Sequence, residues 1–184
     1  MLIFSALSGR VRLPAGAMLV FAGLVLSACG GGGGDDPPDG GNVPAPSLTA
    51  MAGDWVQKGC VKMGTQSFKK FLRARITGQN TLDHDEGVLS FSGGDCAGAS
   101  VLVGPTKLGT VTFARSEATQ SLAAHWGVFL AVTGTRSGAI WTLRSGSQLC
   151  LLGDEIPSIQ PSLSAVSRSL ATVPADNCFA RKTP

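Results

Sequence analysis

The sequence predicts an all-β domain, an antiparallel barrel or a two-sheet sandwich of about eight strands, stapled by disulfides. Three observations carry this prediction. From Leu48 onwards, apolar residues recur with a period of two in short runs separated by Gly- and Pro-containing turns. The composition is low in charge (15%) and rich in Gly (25 residues), Ser and Thr, which suits strands and turns better than a helical bundle. Four cysteines, Cys60, Cys96, Cys150 and Cys178, fall near the ends of these runs. With 184 residues, 43% of them hydrophobic, the chain is long and apolar enough for one domain with a core and is not a disordered polymer.

Residues 1–28 stand apart from the fold. Arg10 and Arg12 precede an apolar run over 13–25 that is too short to span a bilayer comfortably and ends in Ser27 and Ala28, the pattern of a signal peptide. Leu26-Ser27-Ala28-Cys29 resembles the lipobox of bacterial lipoproteins. The resemblance implies cleavage before Cys29, a thioether from its sulfur to diacylglycerol, and acylation of its new amine. That chemistry needs a thiol nucleophile at the membrane face. Two or three acyl chains hold durably where one does not. Gly30 stands where lipoproteins kept in the inner membrane commonly carry Asp, so the resemblance implies the outer membrane of a Gram-negative cell, facing the periplasm. The cysteine count agrees, because Cys29 is the odd one beside an even set of four.

Residues 29–47 read as a tether. Five consecutive glycines, then Asp35-Asp36-Pro37-Pro38-Asp39 and further prolines leave almost nothing to bury. No strand precedes the glycines and no helix follows them, so they are not a phosphate-binding loop. Such a spacer reaches at most about 65 Å. The formal charge of +3 falls when cleavage removes Arg10 and Arg12, leaving 13 of the 15 basic residues against 12 acidic ones. A nucleic-acid partner loses its electrostatic motive.

The domain occupies residues 48–184. Residues 47–52 read as a short helical turn. After Ser67, Phe68, Leu72, Ala74 and Ile76 oppose Lys69, Arg73, Arg75 and Thr77 across a strand, with Lys70 and Phe71 breaking the alternation as a bulge would. In 81–91 the apolar phase slips at Gly87, again as at a bend or bulge. Further runs cover 100–103, 110–113, 125–133, 139–143 and 148–152. Trp126, Val128, Leu130 and Val132 share one face while Phe129 and Ala131 share the other, which predicts a central strand covered on both sides. Residues 157–169 are too irregular to assign.

In a periplasmic domain the four cysteines are expected to pair. Sequence leaves three connectivities. Cys60–Cys96 with Cys150–Cys178 is favoured, since each joins strand edges close in the chain and neither crosses the other. No C-x-x-C occurs, and the spacings do not assemble a zinc site locally.

Gly53-Asp54-Trp55 at the first strand, Cys60, Asp95-Cys96-Ala97-Gly98, Leu149-Cys150 and Cys178-Phe179 together resemble a group of small lipocalin-like lipoproteins of Gram-negative bacteria. Gly-x-Trp is also the lipocalin signature, in which the Trp plugs the closed end of the barrel. The resemblance implies a calyx-like barrel and apolar-ligand binding. A lipocalin also packs an arginine over that Trp, and sequence position singles out none here.

Chemistry-bearing motifs are few. In Asp83-His84-Asp85-Glu86, a strand puts His84 and Glu86 on one face and the two aspartates on the other, which favours a solvated strand edge over a metal site. His125 in an apolar run reads as an interior histidine, and no G-x-S-x-G elbow exists. Asp54, Glu117, Asp154, Glu155 and Asp176 include no recognisable catalytic pair. Lys69, Lys70, Arg73 and Arg75 form the one basic patch and read as a solvated strand face. The expectation is a lipid-anchored, non-catalytic protein without cofactor or metal. Its barrel holds a small apolar ligand or, alternatively, the domain docks on another envelope protein.

Overall fold

The computed structural model describes residues 47–153 and 161–182; the signal segment, Cys29 and the tether up to residue 46 lie outside them. A 3₁₀ turn at Leu48–Ala50 leads into β1 (Gly53–Gln57), β2 (Val61–Met63), β3 (Gln66–Gly78), β4 (Thr81–Phe91), β5 (Ser100–Ala118), β6 (Leu122–Ala131), β7 (Arg136–Arg144) and β8 (Gln148–Leu152). Helix α1 (Leu163–Thr172) and β9 (Phe179–Arg181) follow. From β2 to β8 each strand pairs antiparallel with its successor, as tight connections require. The ends then meet: β9 pairs with β8 and β1, and β1 pairs with β3. Eight strands close into a barrel, with β2 as a ninth on β3, so the barrel alternative holds over the sandwich. Closure removes most of the unpaired edge that an open sheet would leave.

The two sequence runs at 100–103 and 110–113 are one 19-residue strand, β5. Its register against β4 slips between His84 and Asp85 and between Glu86 and Val88, with the extra residues on β5, and it slips once more against β6 between Phe113 and Arg115. These bulges bend the long strand around the barrel.

One face of the pleat points inward. Trp55, Leu72, Ala74, Leu82, Val111, Phe113, Ala118, Ala123, Trp141, Leu143, Leu149 and Phe179 fill the interior, joined by Met51 from the turn before β1. Two smaller clusters lie on the outside. Helix α1 lays Val166 and Leu170 over Leu122, Ala124, Trp126, Ile140 and Leu152, above the Cys150–Cys178 disulfide. Phe71, Leu89 and Phe91 form the other, with Val56, Leu102 and Cys96, beside the Cys60–Cys96 disulfide. Both cross-links are the pairs favoured from spacing.

The outer clusters correct three expectations. The β3–β4 pairing runs unbroken from Ser67 opposite Phe91 to Ile76 opposite Leu82, so Lys70-Phe71 is not a bulge, whereas the irregularity expected at Gly87 is present in the β4–β5 ladder, where Gly104 and Pro105 oppose it. The apolar phase changes because Phe71, Leu89 and Phe91 are buried on the outer face, whereas Leu72 and Leu82 are buried on the inner one. On β6 only the first half, Leu122 to Trp126, is covered on both sides. Val128, Leu130 and Val132 are exposed, at 40%, 45% and 66%. Finally, the unassigned stretch contains α1, capped by the Ser162 hydroxyl, which accepts from the Ala165 N–H, and ended before Pro174.

Candidate functional site

The two halves of the barrel interior differ. At the β1 end the space is filled. Trp55 is fully buried and its indole N–H donates to the Met51 carbonyl at 2.9 Å. Arg181, on the last strand, stacks over the Trp55 ring at 4.4 Å and donates to the carbonyls of Ala52 (2.9 Å) and Ala50 (2.6 Å). One side chain therefore ties the final strand to the turn before the first. Sequence position alone did not single out Arg181. Its only sequence signal is its position directly after Cys178-Phe179-Ala180.

At the opposite end the interior opens into a pocket of about 250 Å³. Its walls include Leu108, Phe129, Ala139, Trp141 and Leu151, and its polar side chains are His84, Glu86 and, at the rim, Ser137. Strand alternation sets this arrangement. His84 and Glu86, two apart on β4, share the inner face, and the His84 Nε2–H donates to the Glu86 carboxylate at 3.1 Å. The His84 ring lies 5.6 Å from Phe129 and 5.5 Å edge-on to Trp141, centroid to centroid. Gly109, facing His84 across the β4–β5 ladder, makes room: a Cβ there would collide with the Phe129 ring and the Leu130 carbonyl. The hydrogen bond from His84 holds the Glu86 carboxyl below the usual carboxylate range despite partial burial, with a smaller pull from Lys70.

The acidic run divides as expected between faces, but it is not the expected solvated strand edge: β4 is paired on both sides, and His84 and Asp85 are buried. Asp83 and Asp85 point outward into a ladder of ion pairs. Lys107 meets Asp83 at 2.7 Å, Arg75 meets Asp85 at 2.7 Å, and Arg73 meets Asp54 with two parallel bonds of 2.7 and 2.8 Å. Lys107 and Arg73 keep the Asp83 and Asp54 carboxyls below their usual range. Both arginines of the basic patch are thus engaged with carboxylates, and the patch is not one face, because Lys70 takes the inner face with Leu72 and Ala74. Among the described residues no three His, Cys, Asp or Glu side chains come together to hold a metal.

His125 is buried on the inner face beside Phe113, its Nδ1 2.7 Å from the Ser116 hydroxyl and its Nε2 without a partner. A Ser–His contact of this length resembles a nucleophile with its base. Burial pushes the imidazole down to about 4, however, which makes it a weak base near neutrality, and no carboxylate orients it. Glu117 is paired with Arg115, and Asp54 with Arg73, so these two carboxylates do not form a catalytic pair; Asp154 and Glu155 lie outside the described residues. Comparison with family models, with curated proteins and with solved structures returned no match.

Proposed function

We propose that the chain is a lipid-anchored, non-catalytic binding protein of the Gram-negative envelope, held by acyl chains on Cys29 to the outer membrane and facing the periplasm. On this reading its lipocalin-like barrel takes a small apolar or amphipathic ligand at the open end. The single observation behind it is the half-filled barrel: a packed base under Trp55 and Arg181, and an aromatic-walled pocket with one polar pair above. Size narrows the ligand. A dry cavity of about 150 Å³ accepts benzene, so about 250 Å³ suits a ring with a short tail rather than a whole long-chain fatty acid.

The reading is tested by titrating the full chain with ring-sized and short-chain compounds while following tryptophan emission and thermal melting. Saturable quenching, lost in Trp141→Phe, and a raised Tm are expected. Ser137→Phe, which puts a ring at the half-buried rim, should abolish both. Silence across the panel, or binding that survives the plug, overturns the pocket. The anchor is tested separately: a Cys29→Ala chain that still takes up a labelled fatty acid overturns it.

One observation favours docking on an envelope protein instead. Val101 and Val103 at the start of β5 are 68% and 61% exposed, and Val128 and Leu130 on β6 and Val132 just after it are exposed. Crosslinking from these positions in whole cells should then recover one specific partner.

A further inference from the structure

We infer that the pocket is built for an organic cation, an amine whose ammonium group sits between the Glu86 carboxylate and the aromatic faces. This inference rests on the pocket reading and adds the ligand's charge. Its basis is an asymmetry between the two sides of the sheet. On the outside, Asp54, Asp83, Asp85 and Glu117 each meet an arginine or lysine. Glu86 turns inward, and among the described residues its ion-pair partner is His84 alone.

The carboxylate is accessible and it is charged. Glu86 keeps 30% of its side chain exposed, whereas His84, which supports it from below, keeps 10%. Its lowered pKa leaves it ionised near neutrality. Lys70 shares the inner face of the neighbouring strand but lies outside ion-pair range. Phe129 and Trp141 line the same pocket as the carboxylate, and aromatic ring faces carry negative electrostatic potential that attracts a cation. Leu108, Leu151 and Ala139 offer apolar cover for the organic part. An anionic ligand would meet the same carboxylate and the same ring faces with repulsion, strengthened by the low-dielectric wall.

The test uses three probes on one skeleton, 2-phenylethylamine, 2-phenylethanol and 3-phenylpropionate, titrated calorimetrically into the full chain near pH 8, where the amine is protonated and the acid ionised. The amine should bind about ten-fold or more tighter than the alcohol, and the acid should bind weakest. Within Glu86→Gln, amine and alcohol should agree within about three-fold, and Lys70→Met, at an exposed site, should tighten the amine alone. Should Glu86→Gln fold poorly, the head-group series on the unmodified chain decides by itself. An acid that binds as well as the amine, or an amine preference that survives Glu86→Gln, overturns the inference. Equal binding of all three sinks the charge claim and leaves the pocket standing, whereas failure of all three to bind overturns both.

Discussion

The closed and open ends of the barrel are built from the same strands, yet only one is finished. At the closed end Met51 and Trp55 fill the space, and Arg181 satisfies two carbonyls of the turn while covering the indole. At the open end His84 and Glu86 pair with each other below a pocket of about 250 Å³, and Leu108 remains partly exposed. The difference shows where stability and function divide. A barrel of eight strands has an interior that its own side chains can fill, so space left over at one end is a choice of side chains rather than of backbone. Ala139 and Ser137, small residues of the lining, leave the room that a Leu or Phe would occupy, while Gly109 lets the Phe129 ring pack against its backbone.

Substitutions at the two ends should therefore separate stability from binding. Trp55→Ala removes the largest fully buried side chain of the closed end and should cost about 3–5 kcal/mol, read as a lowered denaturant midpoint and often as failure to fold. Replacing Cys150 and Cys178 together by Ala releases a 28-residue separation and should cost about 4 kcal/mol in the chain-entropy description, with α1 loosening first in hydrogen exchange.

Acid should act next. The His125 pKa is depressed to about 4 from its ordinary 6.5, so the unfolded chain takes up a proton over that interval while the folded chain does not. Stability is full above about pH 6.5 and falls by up to about 3 kcal/mol as the pH drops towards 4. Asp54, Asp83 and Glu86, with lowered values, add losses in the same direction as the pH falls further through their folded pKa values. Melting His125→Leu across this range should give a shallower acid limb.

Arg181→Met should cost about 1–2 kcal/mol, because it loses the stack on Trp55 and two hydrogen bonds at a solvent-facing site. Phe129→Ala, at the open end, should cost about 1 kcal/mol or less while widening the pocket and weakening ring-sized ligands. A Phe129→Ala variant that unfolds as readily as Trp55→Ala would break the contrast between the two ends.

Several elements were legible in the chain. The runs 81–91 and 148–152 coincide with β4 and β8, since apolar residues bounded by turn residues mark both ends there. The faces of His84 and Glu86 were legible from their spacing of two. Helix α1 was not, although Ser162, the spacing of Leu163, Val166 and Leu170, and Pro174 spell a capped and terminated helix. Its three serines, Val166 and Thr172 weaken the local preference, and its burial against Trp126 and Ile140 decides the matter. The outer clusters were missed for a related reason: an apolar residue on the second face of a strand reads as a bulge until something is known to cover it.

Periodicity, turn residues and cysteine spacing are local, and from them alone came an all-β domain, most of its strands, a favoured disulfide pairing out of three and the faces of the simply alternating runs. Closure is not local. It depends on five residues of β1 pairing with β3 on one side and with a strand more than a hundred residues later on the other. That same long-range meeting carries Arg181 onto Trp55, and barrel closure brings Trp141 and Phe129 over His84. The barrel, its plug and its pocket are tertiary facts, because contacts between residues distant in the chain leave no mark on the pattern of either partner.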